Sequence, residues 1–111
     1  MITVNSQMHG NVQVISVGGR VDGYSAPQLD EALQNALKAK HYKIVVDLKD
    51  TEFLSSAGMR ALLKARLEAQ DQRGELRLAN PSQFIMDALK LVGLEKLFKI
   101  YNSQQAALTE F

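Results

Sequence analysis

The chain has 111 residues, of which 13 are basic and 12 acidic, so its formal net charge is only +1, which argues against nucleic acid as the main partner. Hydrophobic residues make up 46% of it, enough for one core in one domain over residues 1–111. No apolar run is long enough to cross a membrane, the start lacks a signal-peptide pattern, and the absence of cysteine excludes disulfides and thiolate chemistry, so we expect a cytoplasmic protein.

The first part of the chain predicts a β-hairpin. Apolar residues recur at every second position on both sides of His9-Gly10, a sequence that suits a turn. The hairpin is expected to end near Gly18-Gly19. The alternating residues are Ile2, Val4, Val12, Val14 and Ser16.

A helix and a buried strand are expected next. Ser25 is a candidate N-cap, and Pro27 suits the first helical turn, where its missing N–H is not needed. The near-continuous apolar run 42–48 is typical of a strand covered on both faces. The predicted buried face of the helix consists of Ala26, Leu29, Leu33, Ala36 and Leu37.

The second half of the chain alternates between helices and strands. A loop over 49–55 leads to a helix closed by Gly74, and the alternating residues 75–79 predict a strand. Pro81-Ser82 starts a third helix that Gly93 stops, residues 97–101 form a short strand, and Ser103 caps a last helix. The core positions expected on the second and third helices are Met59, Leu62, Leu63, Leu67, Phe84, Ile85, Ala88, Leu89 and Val92.

The order of elements predicts the fold class. A hairpin followed by alternating helices and strands indicates an α/β fold, with a mixed sheet of four to five strands and about four helices packed against it. We find no internal repeat and no linker that would divide the chain.

The junction between the buried strand and the second helix is the candidate site. This junction consists of small residues: Ser55, Ser56, Ala57 and Gly58. Ser56 would act as the helix N-cap. The free N–H groups and the helix dipole also suit a phosphate added there. Arg60 would either assist that phosphate or face a partner.

Three segments resemble one known family. Asp47-Leu48, Phe53-Leu54 and the run from Ser55 to Met59 are similar to the hallmark of STAS domains of the anti-sigma-factor antagonist type. Gly19-Arg20-Val21-Asp22 resembles the segment before the first helix in that family, and residues 91–98 resemble its late segment. The resemblance covers essentially the whole chain and implies the STAS fold.

The resemblance also implies a mechanism. The phosphorylated serine of the family falls at Ser56, while Ser55 stands where Asp is frequent and Ala57 where a second Ser or Thr is found. In this family the unphosphorylated protein binds an anti-sigma factor that is also a serine kinase, and a serine phosphatase, in some relatives a response-regulator phosphatase, reverses the modification. The implied partner-binding residues are Asp22, Gly23, Tyr24, Ser55, Ala57, Gly58, Met59 and Arg60.

Simpler roles remain open for several of these residues. Ser56 is alternatively a plain N-cap, and Asp22 a residue that caps its own turn. Tyr24 and Met59 are alternatively packing residues, and Gly58 suits a close approach at the helix start. His9 and His41 stand alone, so we expect surface positions, no metal site and no cofactor.

Two classes of function remain. No G-x-S-x-G, P-loop or dinucleotide motif is present and Ser56 has no evident histidine base, so we expect a protein-binding switch rather than an enzyme. The alternative is an accessory or scaffold STAS subunit, in a transporter or a stress-signalling complex, that never cycles through phosphorylation. We expect a monomer or a weak dimer that does not act on membranes.

Overall fold

A computed structural model describes residues 2–109 and 111. Six strands, four α-helices and one 3₁₀ turn lie within these residues, and the α/β class predicted from the sequence is confirmed. In chain order they are β1 (Ile2–His9), β2 (Val12–Val21), α1 (Ala26–Lys38), β3 (Lys43–Asp47), β4 (Thr51–Leu54), α2 (Ser56–Asp71), β5 (Glu75–Ala79), α3 (Gln83–Leu91), the 3₁₀ turn (Leu94–Lys96), β6 (Lys99–Tyr101) and α4 (Gln104–Leu108).

The sheet is organised around β2. Residues 12–19 of this strand pair antiparallel with β1, which confirms the hairpin, although β2 continues past Gly18-Gly19 to Val21. Its other edge pairs in parallel with β3 over the first half and with β4 over the last three residues. β5 and β6 continue the parallel part beyond β3.

One strand was missing from the sequence prediction. β4 lies inside the stretch 49–55 that was expected to be a loop, so the sheet has six strands instead of four to five. A strand of four residues is too short to show a period of two, and β4 is defined by its hydrogen-bond partners on β2.

The main core lies between one face of the sheet and helices α1, α2 and α3. All five residues predicted for the buried face of α1 are buried. On β3, Ile44 and Val46 point into this core while Val45 belongs to a second cluster on the opposite face, which confirms that the strand is covered on both sides.

Some core positions expected on α2 and α3 were wrong. Leu67, Phe84 and Val92 are all more than half exposed. Three of the six buried positions on α2 are alanines, and this helix packs over both α1 and β5. The alanines are Ala61, Ala65 and Ala69.

The end of α2 also differs from the expectation. Arg73 takes the left-handed conformation (φ 63°), and Gly74 donates its N–H to the Ala69 carbonyl, 2.8 Å away. This is a Schellman motif with arginine at the position where glycine is usual. Gly74 is required for another reason: a Cβ there would overlap the backbone carbonyl of Tyr42.

The helices α3 and α4 begin as predicted. Ser82 accepts a hydrogen bond from the N–H of Ile85 at 3.1 Å, and Ser103 accepts one from Ala106 at 3.0 Å. Both serines are therefore working N-caps.

The second face of the sheet is covered by α4. Its Ala107 packs with Val12, Val14, Val45 and Ala79 in the smaller apolar cluster. Over the residues that are described, none of the helices combines the length and the apolar character needed to span a bilayer.

Candidate functional site

The site lies where β2 and β4 end. Because these strands are parallel neighbours, their carboxyl ends meet at one edge of the sheet, with Val21 paired to Leu54. The N–H of Ser55 donates to the carbonyl of Val21 at 2.8 Å, which ties the two exits together. Thus two predicted segments that are more than thirty positions apart in sequence come together, and Gly23 from the first lines one depression with Ala57 and Arg60 from the second.

A closed turn follows β2. The carboxylate of Asp22 accepts hydrogen bonds from the N–H groups of Tyr24 and Ser25, each at 3.0 Å. The N–H and then the hydroxyl of Ser25 contribute most to holding the pKa of Asp22 below its ordinary value. Asp22 therefore caps its own turn, as one of its two predicted roles required.

Ser25 does not cap α1 with its side chain. Its hydroxyl oxygen accepts from the N–H of Asp22 at 2.9 Å and lies 2.8 Å from the carbonyl oxygen of Arg20. The side chain faces back toward β2, although Ser25 stands at the N-cap position. Its role is to hold the turn that precedes the helix.

The turn projects Tyr24 into solvent. This side chain is 97% exposed, so the packing role considered for it is wrong. Gly23 beside it is also exposed, and a Cβ there would meet nothing within 4 Å. A rigid turn that carries a fully exposed aromatic ring is suited to protein contact, because such a ring offers a large contact area at a small entropy cost.

The N-cap of α2 is Ser55 rather than Ser56. The backbone of Ser55 is extended (φ −74°, ψ 169°), and its hydroxyl accepts a hydrogen bond from the N–H of Gly58 at 3.2 Å. Ser56 is the first residue of the helix proper, and it is exposed. Its hydroxyl has no hydrogen bond to any residue in the described part of the chain, so the plain N-cap role is wrong for Ser56.

The start of α2 packs closely against the strands beneath this surface. A Cβ on Gly58 would lie 2.7 Å from Cδ1 of Leu54 and 2.8 Å from Cγ1 of Val21. The start of α2 therefore sits directly on the ends of β2 and β4, as the expected role of Gly58 required. Met59 is likewise buried, in the main core.

Shallow depressions flank Ser56 on two sides. The first lies between α1 and α2, and its lining includes Gly23, Ala57 and Arg60. The second lies between α2 and the segment after α3, and it is largely apolar. Arg60 contributes to both and is exposed. The second depression is lined by Ser56, Met59, Arg60, Leu63, Val92 and Leu94.

Sequence reasoning missed the far side of the second depression. Val92 and Leu94 line it, and the neighbouring Leu91 is 88% exposed. The available signal was an excess of apolar residues: α3 buries only Ile85 and Leu89, so Leu91 and Val92 exceed what one helix face can cover.

Neither histidine of the chain lies beside the Ser56 hydroxyl. The two histidines of the chain lie at the opposite edge of the sheet, His9 just before β2 and His41 just before β3. His41 is partly buried and its Nδ1 lies 2.6 Å from Oε1 of Gln13. In residues 2–109 and 111 there is also no group of His, Cys, Asp and Glu placed to hold a metal ion.

Known proteins resemble this chain over nearly its full length. A family model described as STAS domain matches residues 3–107. The anti-sigma-F factor antagonist RsfB of Mycobacterium tuberculosis is 32% identical over 108 residues, which are 97% of this chain and 88% of that protein.

Solved structures agree with the fold. An anti-sigma factor antagonist from Mycobacterium paratuberculosis superposes with a TM-score of 0.90 and 29% identity, over 98% of this chain and 92% of that one. The Bacillus cell fate determinant SpoIIAA in its phosphorylated form has a TM-score of 0.76 and 19% identity, over 96% of each chain. At that identity the second likeness concerns the fold alone.

Proposed function

The chain belongs to the STAS domain family, and we propose that it is an anti-sigma-factor antagonist switched off by phosphorylation of Ser56. In its unphosphorylated form it binds an anti-sigma factor that is also a serine kinase, and thereby releases the sigma factor. A serine phosphatase returns the phosphorylated form to the active state. The names of the relatives support the antagonist role, and the switch rests on the site itself.

The observation that carries the proposal is the position of Ser56. Its hydroxyl is exposed and takes no part in capping α2, so a kinase can modify it without breaking the fold. The neighbouring Ser55 is half-buried and bound to the N–H of Gly58, which makes it the poorer acceptor of the two.

The reaction at Ser56 is a phosphoryl transfer performed by the partner. The serine oxygen forms a bond to the γ-phosphorus of ATP as the bond to the β-phosphate oxygen breaks, giving ADP. The hydroxyl proton passes to a base of the kinase, because this chain has no histidine at the site. The chain acts as the substrate in this step and supplies no catalytic group.

Charge explains how the phosphate would release the partner. The surface around Ser56 combines the exposed ring of Tyr24 with the apolar depression beside Val92 and Leu94. A phosphate adds about −1.5 to −2 charges at neutral pH. A partner seated on this surface would have to bury that charge, which is costly without a new cationic group.

Mass analysis of the protein from its own host tests the switch. We expect a phosphate on Ser56 when residues 50–66 are mapped, and its loss when the gene of the cognate kinase is deleted. Absence of phosphate under growth, starvation and stress would instead support the accessory, non-cycling STAS subunit.

Binding variants test the partner. We expect tagged Ser56→Ala to retain from host extract a protein that phosphorylates the wild-type chain when ATP is added, and Ser56→Glu not to retain it. Ser6→Glu, which adds the same charge on the exposed surface of β1, is the control and should bind like wild type. Equal retention by Ser56→Glu and Ser6→Glu would contradict release by charge.

A further inference from the structure

We infer that Arg60 binds the phosphate group once Ser56 is phosphorylated, so that the modification both adds negative charge and occupies the free cation of the contact surface. This inference rests on the phosphorylation of Ser56 proposed above. It assigns to Arg60 a positioning role for the phosphate on its own chain.

The spacing of the two residues on α2 is the first argument. Ser56 and Arg60 are four positions apart, so they lie on the same side of the helix in successive turns, and both line the second depression. At this spacing an anion on the N-terminal side of a cation is the more favourable order.

The second argument is that Arg60 is available. It is exposed and makes no ion pair, hydrogen bond or ring contact among residues 2–109 and 111. Asp30 shares the first depression with Arg60, but its carboxylate lies 3.9 Å from Nζ of Lys64. Arg66, the other arginine inside α2, lies over the ring of Phe98, at 5.9 Å from its centre.

The chemistry of the two groups is the third argument. A guanidinium presents paired N–H donors that match two oxygens of one phosphate, and such charge-assisted hydrogen bonds are among the stronger ones. Met59, Leu63 and Val92 form an apolar floor beside the pair, which limits competition by water on that side.

The consequence concerns partner binding. In the unphosphorylated chain Arg60 is directed to solvent and is free to pair with a carboxylate of the partner. In the phosphorylated chain it is engaged on its own helix, and the local charge changes from about +1 to about −1. The switch therefore removes an attractive group in the same step that adds a repulsive one.

A titration of the phosphate tests the pair directly. Phosphoserine is installed at position 56 during translation, and its second ionisation is followed by ³¹P NMR in the intact chain at low salt. An ion pair stabilises the dianion, so we expect Arg60→Gln to raise the second pKa by about 0.5 unit relative to wild type. The difference should shrink at about 1 M salt, where such pairs are screened.

Two further variants make the result specific. Arg66→Gln removes the same charge from the same helix but lies about 15 Å from Ser56 along its axis, so we expect a change below about 0.2 unit. Arg60→Lys keeps the charge without the paired donors and should fall between wild type and Arg60→Gln.

The outcomes separate this inference from the proposed function. Identical titrations of wild type and Arg60→Gln, or equal shifts in Arg60→Gln and Arg66→Gln, would overturn the role of Arg60 even if the host phosphorylates Ser56. The expected shift would support it even if no phosphate were found in the host, because the phosphoserine is installed without a kinase.

Discussion

Polar side chains are used differently in two parts of the molecule. One is the α4 corner, where Arg77 on β5 meets α4 and the residues after it; the other is the surface around Ser56. At the α4 corner, Arg77 is only 4% exposed, and its guanidinium donates to the carbonyls of Ala107 at 3.0 Å and Thr109 at 2.9 Å. It also pairs with Glu75 at 2.7 Å and lies over the rings of Tyr101 and Phe111.

Around Ser56 the corresponding groups face solvent. The Ser56 hydroxyl and the Arg60 guanidinium have no partner within the described residues, and Tyr24 is almost fully exposed. A polar group that is satisfied inside the chain stabilises the fold, whereas one that is left exposed is available to another molecule. This difference supports the proposal that the end of the sheet at Ser56 serves recognition.

Removal of Arg77 from the α4 corner should have the largest effect on stability. Arg77→Ala removes the guanidinium donor from two carbonyls of the C-terminal segment and leaves the Glu75 carboxylate with Lys99 as its remaining cationic partner, so we expect a loss of about 3 kcal/mol in the free energy of unfolding. Urea denaturation measures it. Lys99→Ala removes the exposed partner of Glu75 and should cost less than about 0.5 kcal/mol; an equal loss in both variants would refute the special role of Arg77.

A methyl group on Gly58 tests the packing beneath the Ser56 surface. In Gly58→Ala the new Cβ overlaps Leu54 and Val21, so we expect a loss of about 1–3 kcal/mol in stability. Gly23→Ala is the matched control, since its Cβ meets nothing within 4 Å and it should change stability by less than about 0.5 kcal/mol. Thermal unfolding of the two variants side by side gives the answer.

Two adjacent serines sharpen the contrast between structural and exposed polar groups. Ser55→Ala removes the N-cap of α2 and should cost about 1 kcal/mol, whereas Ser56→Ala should lie within about 0.5 kcal/mol of wild type. Binding to the cognate kinase should depend on the other serine: a negative charge placed at Ser56 should weaken it. A larger stability loss for Ser56→Ala than for Ser55→Ala would mean that the caps are assigned the wrong way round.

Lowering the pH should reduce the stability contributed by Glu75 at the α4 corner, by less than the removal of Arg77 does. Partial burial raises the pKa of Glu75, but hydrogen bonds from Lys99 and Arg77 outweigh it and hold this pKa below its ordinary value of 4.5. The stabilisation is therefore complete above about pH 4.5 and is lost as the pH falls through the lower value of the folded state.

A comparison of variants across pH isolates this contribution. Glu75→Gln should be less stable than wild type at pH 7, and the gap should close toward pH 3, as followed by urea denaturation. Glu52→Gln, at an exposed position on β4, should show no such gap. A gap that stayed constant across this range would show that ionisation of Glu75 is not its cause.

Local sequence signals predicted the elements well but the details of their ends less well. The helix α1 was predicted with its full buried face because five apolar residues repeat at helical spacing. The signals misplaced the N-cap of α2 by one residue, since Ser55 and Ser56 have the same capping chemistry and only the backbone conformation distinguishes them. They predicted that Gly74 closes α2, and the structure shows that Gly74 donates the closing hydrogen bond while Arg73 adopts the left-handed conformation before it.

The candidate site was predicted in part. The serine-containing junction was identified from its small residues and from the family resemblance, and its acceptor role remains a prediction. Leu91, Val92 and Leu94 were not connected with it, because the distance between α3 and the start of α2 is set by packing across the core.

The α/β class, the position of the hairpin and the small-residue junction at Ser56 could be predicted from the sequence, since each depends on periodicity or residue type within a short window. Three features became visible only in the folded chain: β4 is a strand, Asp22–Tyr24 lies beside Ser55–Arg60, and several apolar residues of α2 and α3 stay exposed. These features depend on pairing between distant segments: the last three residues of β2 select β4 as their parallel partner, and that pairing brings the two chain exits to one edge of the sheet.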